Sequence, residues 1–232
     1  MQARDVMTRT VISVEADTDV GEIEKRLVEN RISAVPVLDS SKKLVGIVSE
    51  GDLMRRPESG MDRRPSWWLS LILLPEEQAR RYVKTHGRHA RDVMTNRVIT
   101  VDENTSLETV ADVLEKHRIK RAPVIRDGIV VGIVSRADLL HGLIARQTGP
   151  GAPIEDRAIK HAIENALIDA GVMGRRLNIV VSGGVVHVWG TVITPDEKEA
   201  VRVSVENAPG VRGVRDNVTA LPPDERAYYW AV

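Results

Sequence analysis

An internal duplication in the sequence limits the folds that this chain can adopt. Arg4-Asp5-Val6-Met7-Thr8 recurs as Arg91-Asp92-Val93-Met94-Thr95, which is an offset of 87 residues (91 − 4). Further along, Gly46-Ile47-Val48-Ser49 recurs as Gly132-Ile133-Val134-Ser135, one residue short of that offset. Self-similarity at a fixed spacing indicates one supersecondary unit used more than once. The first two thirds of the chain are therefore predicted to hold two copies of one unit, which differ by a one-residue deletion in a turn.

Each copy is predicted to contain a short strand, an amphipathic helix, two apolar strands and a closing helix. Val20, Ile23 and Leu27 are spaced by three and four residues, which places them on one buried face of the helix. The β-branched runs after this helix are typical of covered strands. We therefore expect an α+β fold built from two β-α-β-β-α repeats.

Three pairs of side chains predict where helices begin. Asp19 with Glu22, and Thr105 with Glu108, have the spacing of capping boxes in the two copies. In the last third of the chain, Thr194-Pro195-Asp196-Glu197 combines a capping threonine with a proline at the first helical position. This last pattern starts the second helix of a separate C-terminal domain.

The duplication and the glycine- and proline-rich segment after it divide the chain into six parts. The Gly149-Pro150-Gly151-Ala152-Pro153 run cannot continue a helix and is typical of a linker. The insert between the copies has an apolar cluster from Trp67 to Leu74, which either contacts a partner or a membrane surface or packs over the repeats or between subunits. The predicted parts are a first copy at 1–56, an insert at 57–87, a second copy at 88–147, a linker at 148–153, a C-terminal domain at 154–221 and a tail at 222–232.

The two copies resemble CBS domains, which pair in tandem as a Bateman module. The resemblance is carried by the opening Val-Met-Thr, the Arg-Ile-x-x-x-Pro-Val segment and Gly-Ile-Val-Ser-x-x-Asp-Leu, each of which occurs twice and in the same order. It implies that the chain binds an adenosyl ligand (AMP, ADP, ATP, NAD or S-adenosylmethionine) in clefts between the copies. It also implies a disc-like homodimer through the paired repeats.

One serine and one aspartate in each copy suit such a ligand. Ser49 and Ser135 lie where a strand gives way to a helix, so that hydroxyl and backbone N–H groups at the positive helix end can face a phosphate. Asp52 and Asp138, three residues on, can accept hydrogen bonds from both hydroxyls of a ribose. The same Ser-x-x-Asp spacing is also that of an ordinary capping box, so both interpretations stay open.

The resemblance also implies further cleft-lining positions, and these predict two unequal sites. Glu50 follows the first serine, whereas Arg136 follows the second, so the cleft of Ser135 and Asp138 is predicted to bind phosphorylated ligand more tightly. The alternative is that the second copy's cations form a solvated face. The implied lining positions are Thr10, Ile12, Ile32, Ser33 and Ala34, with Arg97, Ile99, Ile119, Lys120 and Arg121 as their counterparts.

The C-terminal domain has the order helix, hairpin, helix, strand, with Gly190-Thr191-Val192 at the end of the hairpin and Pro209-Gly210-Val211-Arg212-Gly213-Val214 after the second helix. In this order and these motifs it resembles a BON domain, a small α+β fold (α-β-β-α-β). Ile159, Ile163 and Leu167 lie on one face of its first helix, and the hairpin turns at Ser182-Gly183-Gly184. In the second hairpin strand, His187 alternates with apolar residues and is predicted to lie at the surface. The resemblance implies no catalytic residues and a protein or phospholipid partner.

The remaining sequence features exclude several functions. The 33 basic and 33 acidic residues cancel, so no overall field favours nucleic acid, and no cysteine is present for thiolate catalysis or zinc. We find no phosphate loop, nucleophile elbow or convincing metal cluster, and no export signal at the N-terminus. The sequence predicts a cytoplasmic, non-enzymatic regulatory protein. The alternative is a constitutive scaffold, or a membrane- or envelope-associated anchoring protein, with unoccupied clefts.

Overall fold

The computed structural model describes residues 1–54, 82–84, 86–147, 153–172 and 177–230. The chain divides into two compact units whose boundaries cut across the sequence repeat. Residues 12–98 form the first-repeat unit, and residues 1–11 with 99–232 form the second-repeat unit. The apolar cluster from Trp67 to Leu74 lies outside the described residues.

The first-repeat unit contains a three-stranded sheet in the order β1-β2-β3, with β1 parallel and β3 antiparallel to β2. Val20, Ile23 and Leu27 are buried on one face of the helix Val20–Glu29, as their spacing predicts. Its elements are β1 (Val14–Glu15), α2 (Val20–Glu29), β2 (Ala34–Leu38), β3 (Leu44–Ser49), α3 (Glu50–Leu53) and α4 (Ala90–Val93).

The second-repeat unit contains the same sheet, in the order β4-β5-β6, together with the C-terminal domain. Its repeat elements are α1 (Ala3–Val6), β4 (Val101–Asp102), α5 (Leu107–Lys116), β5 (Arg121–Arg126), β6 (Ile129–Ser135) and α6 (Arg136–Arg146). The C-terminal domain has α7 (Pro153–Asp169), β7 (Leu177–Ser182), β8 (Val185–Val192), α8 (Pro195–Glu206), β9 (Gly213–Ala220) and α9 (Pro223–Trp230). The fold is α+β.

Each copy gives its opening segment, residues 1–11 or 88–98, to the unit of the other copy. Thr8 exchanges two backbone hydrogen bonds with Ile133 of β6, at 3.0 and 2.9 Å. Thr95 exchanges the equivalent pair with Ile47 of β3, at 3.1 and 2.9 Å. The sequence repeat and the structural unit are therefore offset by one opening segment.

This exchange explains why two of the repeated motifs occur together. The methionine of one Val-Met-Thr motif packs on the glycine of the Gly-Ile-Val-Ser motif in the other copy. A β-carbon added to Gly46 would overlap the side chain of Met94, and one added to Gly132 would overlap that of Met7. Glycine is required at both positions because the methionine approaches the strand backbone closely.

The predicted helix starts are correct at Thr194 and at Asp19, and the start predicted at Thr105 lies one residue too early. Thr194 caps α8, and the Glu197 amide donates to its hydroxyl at 3.0 Å. Asp19 does cap α2, but it accepts from the Gly21 amide, and Glu22 pairs with Arg26 instead. The Thr105–Glu108 capping box does not form, because the neighbouring Ser106 caps α5 by accepting from the Thr109 amide at 3.1 Å.

The C-terminal sheet has the order β7-β8-β9 and is covered on both faces of β7. Leu177, Ile179 and Val181 pack with α7 and α8 in the domain's own core, whereas Val180 packs in the core of the second repeat. His187 pairs with Val180 in the hairpin and is only 3% exposed, so the predicted surface position is wrong. The alternation along the strand is real, but its second face is buried too.

No described helix is long and apolar enough to cross a bilayer.

Candidate functional site

In the first repeat, Ser49 ends β3 and Asp52 lies in the first turn of α3. The Ser49 amide and hydroxyl both donate to one oxygen of the carboxylate, Asp52 Oδ2, at 3.0 and 2.6 Å. Within the described residues, the other oxygen accepts no hydrogen bond and faces the Lys84 ammonium at 3.6 Å. Because Lys84 is half exposed, that ion pair is weak. The carboxylate thus closes the helix start with one oxygen and keeps the other available.

In the second repeat, Ser135 and Asp138 repeat this arrangement at the start of α6. The Ser135 amide and hydroxyl donate to Asp138 Oδ2 at 2.7 and 2.8 Å, and the Asp138 amide donates back to the hydroxyl at 3.3 Å. Here the second oxygen is occupied, since Asn178 Nδ2 of β7 donates to Asp138 Oδ1 at 2.9 Å. Asp138 is 7% exposed, and burial raises the pKa of its carboxyl, although the Ser135 hydrogen bonds oppose that rise.

The residues at the start of the middle strand of each repeat lie beside these serines. Ala34 pairs with Ser49 across β2 and β3, and the Glu50 amide donates to the Ser33 carbonyl at 3.0 Å. In the second repeat, Arg121 pairs with Ser135 across β5 and β6. The Arg136 amide donates to the Lys120 carbonyl at 3.2 Å.

Arg121 carries a buried donor that has no acceptor. Among the described residues, none accepts a hydrogen bond from Arg121 Nε, although that atom is buried. An unpaired buried donor is costly, and its satisfaction by an anion would recover that cost. Arg136, in contrast, is exposed, as is Glu50 in the first repeat.

Two of the predicted cleft-lining positions, Thr10 and Arg97, lie on opening segments and therefore belong to the unit of the other copy. Thr10 belongs to the second-repeat unit with Ser135 and Asp138, whereas Arg97 belongs to the first-repeat unit with Ser49 and Asp52. Thr10 is exposed and lines a cavity of about 260 Å³ whose other wall is α7. The apolar positions Ile12, Ile32, Ile99 and Ile119 are partly buried.

Two site residues that the sequence analysis missed belong to the C-terminal domain. Asn178 Nδ2 donates to the Val6 carbonyl at 2.7 Å as well as to Asp138, which uses both amide protons. Lys160 Nζ donates to the carbonyls of Asp5 and Met7 at 3.0 and 3.4 Å. A polar residue within an apolar strand is the sequence signal that points to Asn178.

Comparisons with known families match both parts of the chain. The CBS-domain model matches residues 3–59 and 90–145, and the BON-domain model matches residues 155–222. An uncharacterized protein of Methanocaldococcus jannaschii is 34% identical over 159 residues, which are 62% of this chain and 92% of that protein. The chloroplastic CBS domain-containing protein CBSX1 of Arabidopsis thaliana is 33% identical over 141 residues, but the match spans only 58% of CBSX1.

A solved structure also resembles the repeat region. It is the crystal structure of CBSX2 in complex with AMP, with a TM-score of 0.54 and 28% sequence identity. The match covers 63% of this chain and 98% of the CBSX2 chain. The similarity therefore extends over nearly all of the crystallised CBSX2 chain.

Proposed function

The chain belongs to the CBS-domain family and carries a BON domain, and from that premise we propose that it is a non-enzymatic regulatory protein that binds adenine nucleotides. The ligand contacts the Ser-x-x-Asp pairs of the repeats, and its occupancy is passed to a protein or phospholipid partner through the C-terminal domain. The observation that carries this proposal is that the two carboxylate oxygens of Asp52 have different partners. Oδ2 is committed to the helix start, whereas Oδ1 remains to accept from a ribose hydroxyl.

Two further observations support an adenosine phosphate as the ligand. Arg121, whose buried Nε has no acceptor among the described residues, pairs with Ser135 across β5 and β6 and suits an anion. CBSX2, which resembles this chain over the repeats, was crystallised with AMP. Recognition of the sugar by Asp and of the phosphate by Arg fits a nucleotide better than a free base.

Isothermal titration of the full chain with AMP, ATP, NAD and S-adenosylmethionine tests the proposal. We expect at least one of them to bind, and we expect Asp52→Ala to weaken binding at one site by about tenfold to a hundredfold. That range corresponds to one or two lost hydrogen bonds to a charged group.

Asp92→Ala is the matched control for this substitution. Asp92 caps α4, another four-residue helix of the same unit, by accepting from the His89 amide at 3.1 Å. Both variants lose an aspartate from a short helix start, but only Asp52 lies at the proposed site. Equal losses of affinity in the two variants would show that the effect is structural and would contradict the proposal.

The alternative is a constitutive scaffold, and the contact between Asn178 and Asp138 favours it. In that case the second carboxylate only fixes the C-terminal domain on the repeat. A thermal-shift series separates the two functions, because a bound ligand raises the melting temperature in proportion to the logarithm of its concentration. The absence of any shift with all four ligands would favour the scaffold.

A further inference from the structure

The side of the C-terminal domain that meets the second repeat surrounds Asp138 with polar groups, beside the apolar residues Val180 and Trp189. Asn178 is 7% exposed, and its amide protons go to Asp138 Oδ1 and the Val6 carbonyl. The other polar atom of this side chain, Asn178 Oδ1, lies 3.2 Å from His141 Nδ1 on α6. Asn178 is therefore fully paired, and every partner belongs to the repeat.

Helix α7 adds cationic contacts to the opening segment next to this asparagine. Arg157 Nε donates to Asp5 Oδ1 at 2.7 Å, and its Nη2 donates to Gln2 Oε1 at 3.0 Å. Lys160, 3% exposed, donates to two backbone carbonyls of the same segment. The Trp189 ring stacks on His141 with centroids 4.2 Å apart. Val180 and Trp189 add apolar contact with the repeat's core, and the polar contacts around them are typical of domain interfaces that open and close.

The contact from Asn178 takes the oxygen that the first repeat leaves available. In both repeats Oδ2 accepts from the serine, so Oδ1 is the atom left for a ribose. In the second repeat an amide already occupies it, and the carboxylate is buried beneath β7. A ribose and Asn178 cannot both use Asp138 Oδ1 from the same side.

We propose that the C-terminal domain is a reversible plug of the second nucleotide site, with Asn178 in the position of the ribose hydroxyls. This inference rests on the proposed function. Ligand that binds Asp138 displaces Asn178 and releases the domain, while docking of the domain lowers the apparent affinity of that site. The two effects are reciprocal, because they are two sides of one equilibrium.

The plug reverses the order of affinities that the charges alone predict. Arg121 and Arg136 favour phosphate at the second site, and Glu50 disfavours it at the first. The apparent affinity of the second site equals its intrinsic affinity multiplied by the fraction of molecules in which the domain is undocked. The second site is therefore expected to bind weakly in the intact chain and tightly once the domain is released.

Asn178→Asp in the full chain is the direct test. It places a second carboxylate against Asp138, so that like charges oppose docking while the ligand site keeps every residue. We expect titration with AMP to show one site at least about tenfold tighter than in the natural chain, and the Asp52 site unchanged. Should this variant fold poorly, Arg157→Ala removes the contact with Asp5 without touching Asp138, and a smaller gain in the same direction is expected. Arg202→Ala, which breaks only exposed pairs with Glu199 and Glu206 on α8, is the matched control and should leave both affinities unchanged.

Docking itself is measured by distance between two labels. The chain has no cysteine, so Glu115→Cys on α5 and Asp196→Cys on α8, both exposed, accept spin labels at defined positions. We expect a narrow distance distribution without ligand and a broad one with saturating AMP or with Asn178→Asp. AMP binding that depends on Asp52 but leaves the distribution and the Asn178→Asp affinities unchanged would overturn the plug and leave the proposed function standing. No binding of AMP, ATP, NAD or S-adenosylmethionine to the natural chain or to Asn178→Asp would overturn both.

Discussion

At the scale of single residues, a carboxylate can be a helix cap and a ligand contact at once. Asp52 and Asp138 each receive the serine amide and hydroxyl on Oδ2. The sequence presents these two roles as alternatives because one Ser-x-x-Asp spacing serves both. In the structure Oδ2 carries the cap, whereas Oδ1, whose partners differ between the two repeats, is the atom that the proposed ligand contact would use.

Lys160 provides a residue-scale prediction about pH. Burial lowers the pKa of its ammonium to about 8 from 10.5, with Arg9 acting in the same direction and Glu164, Asp5 and Asp138 opposing. In the unfolded chain the amine keeps its proton up to the ordinary value, so between these two pKa values unfolding takes up a proton. The free energy of unfolding therefore rises with pH across that window, by at most about 1.4 kcal/mol for each pH unit.

The comparison with Lys160→Met isolates this contribution. Urea unfolding of both proteins between about pH 7 and about pH 11 should give curves whose difference changes with pH, because only the natural chain loses the buried proton. Tyrosines and other lysines titrate in both proteins and cancel from the difference. Parallel curves would mean that the Lys160 pKa is the same in the folded and unfolded chains.

At the scale of elements, the sequence predicts the contents of each repeat but not how the copies share them. The spacing of Val20, Ile23 and Leu27 predicts α2 correctly because one buried face follows from local periodicity. The exchange of the opening segments depends on whether each segment pairs with β3 or with β6. Because the two strands have nearly the same sequence, the sequence does not show which of them a segment pairs with. Asn178 and His187 were missed for a related reason: alternation along a strand identifies a second face but not what covers it.

The exchange predicts that mutations in one copy destabilise the other. Val6 and Val93 are equivalent, fully buried residues of α1 and α4, yet Val6 packs in the second repeat's core and Val93 in the first's. Truncation of either to alanine should cost about 2 kcal/mol. Hydrogen exchange should then accelerate in β5 and β6 for Val6→Ala, and in β2 and β3 for Val93→Ala. The opposite assignment would contradict the exchange.

At the scale of the whole molecule, one three-stranded sheet takes part in two cores. On the side of the sheet that faces α7 and α8, buried residues between Ile159 and Val218 form a core large enough for a separate domain. The other side of the sheet supplies Val180, with Trp189 packed nearby, to the core of the second repeat. A domain with its own core can leave the repeat without unfolding, and this independence is what a releasable plug requires.

Two adjacent residues of β7 test that independence. Val180 and Val181 are 0% and 5% exposed, point to opposite faces and belong to different cores. A threonine at either position places a hydroxyl of nearly the same shape as a methyl group in an apolar site, which costs about 1–3 kcal/mol where no partner is available. In the segment 153–232 produced alone, Val181→Thr should lower the free energy of unfolding by that amount, whereas Val180→Thr should be nearly neutral because its face then meets water. In the full chain both should destabilise. Urea unfolding followed by circular dichroism measures both variants in both chains. An equal loss of unfolding free energy from the two substitutions in the isolated segment would mean that the domain's fold depends on the repeat. That result is incompatible with a domain that is released intact.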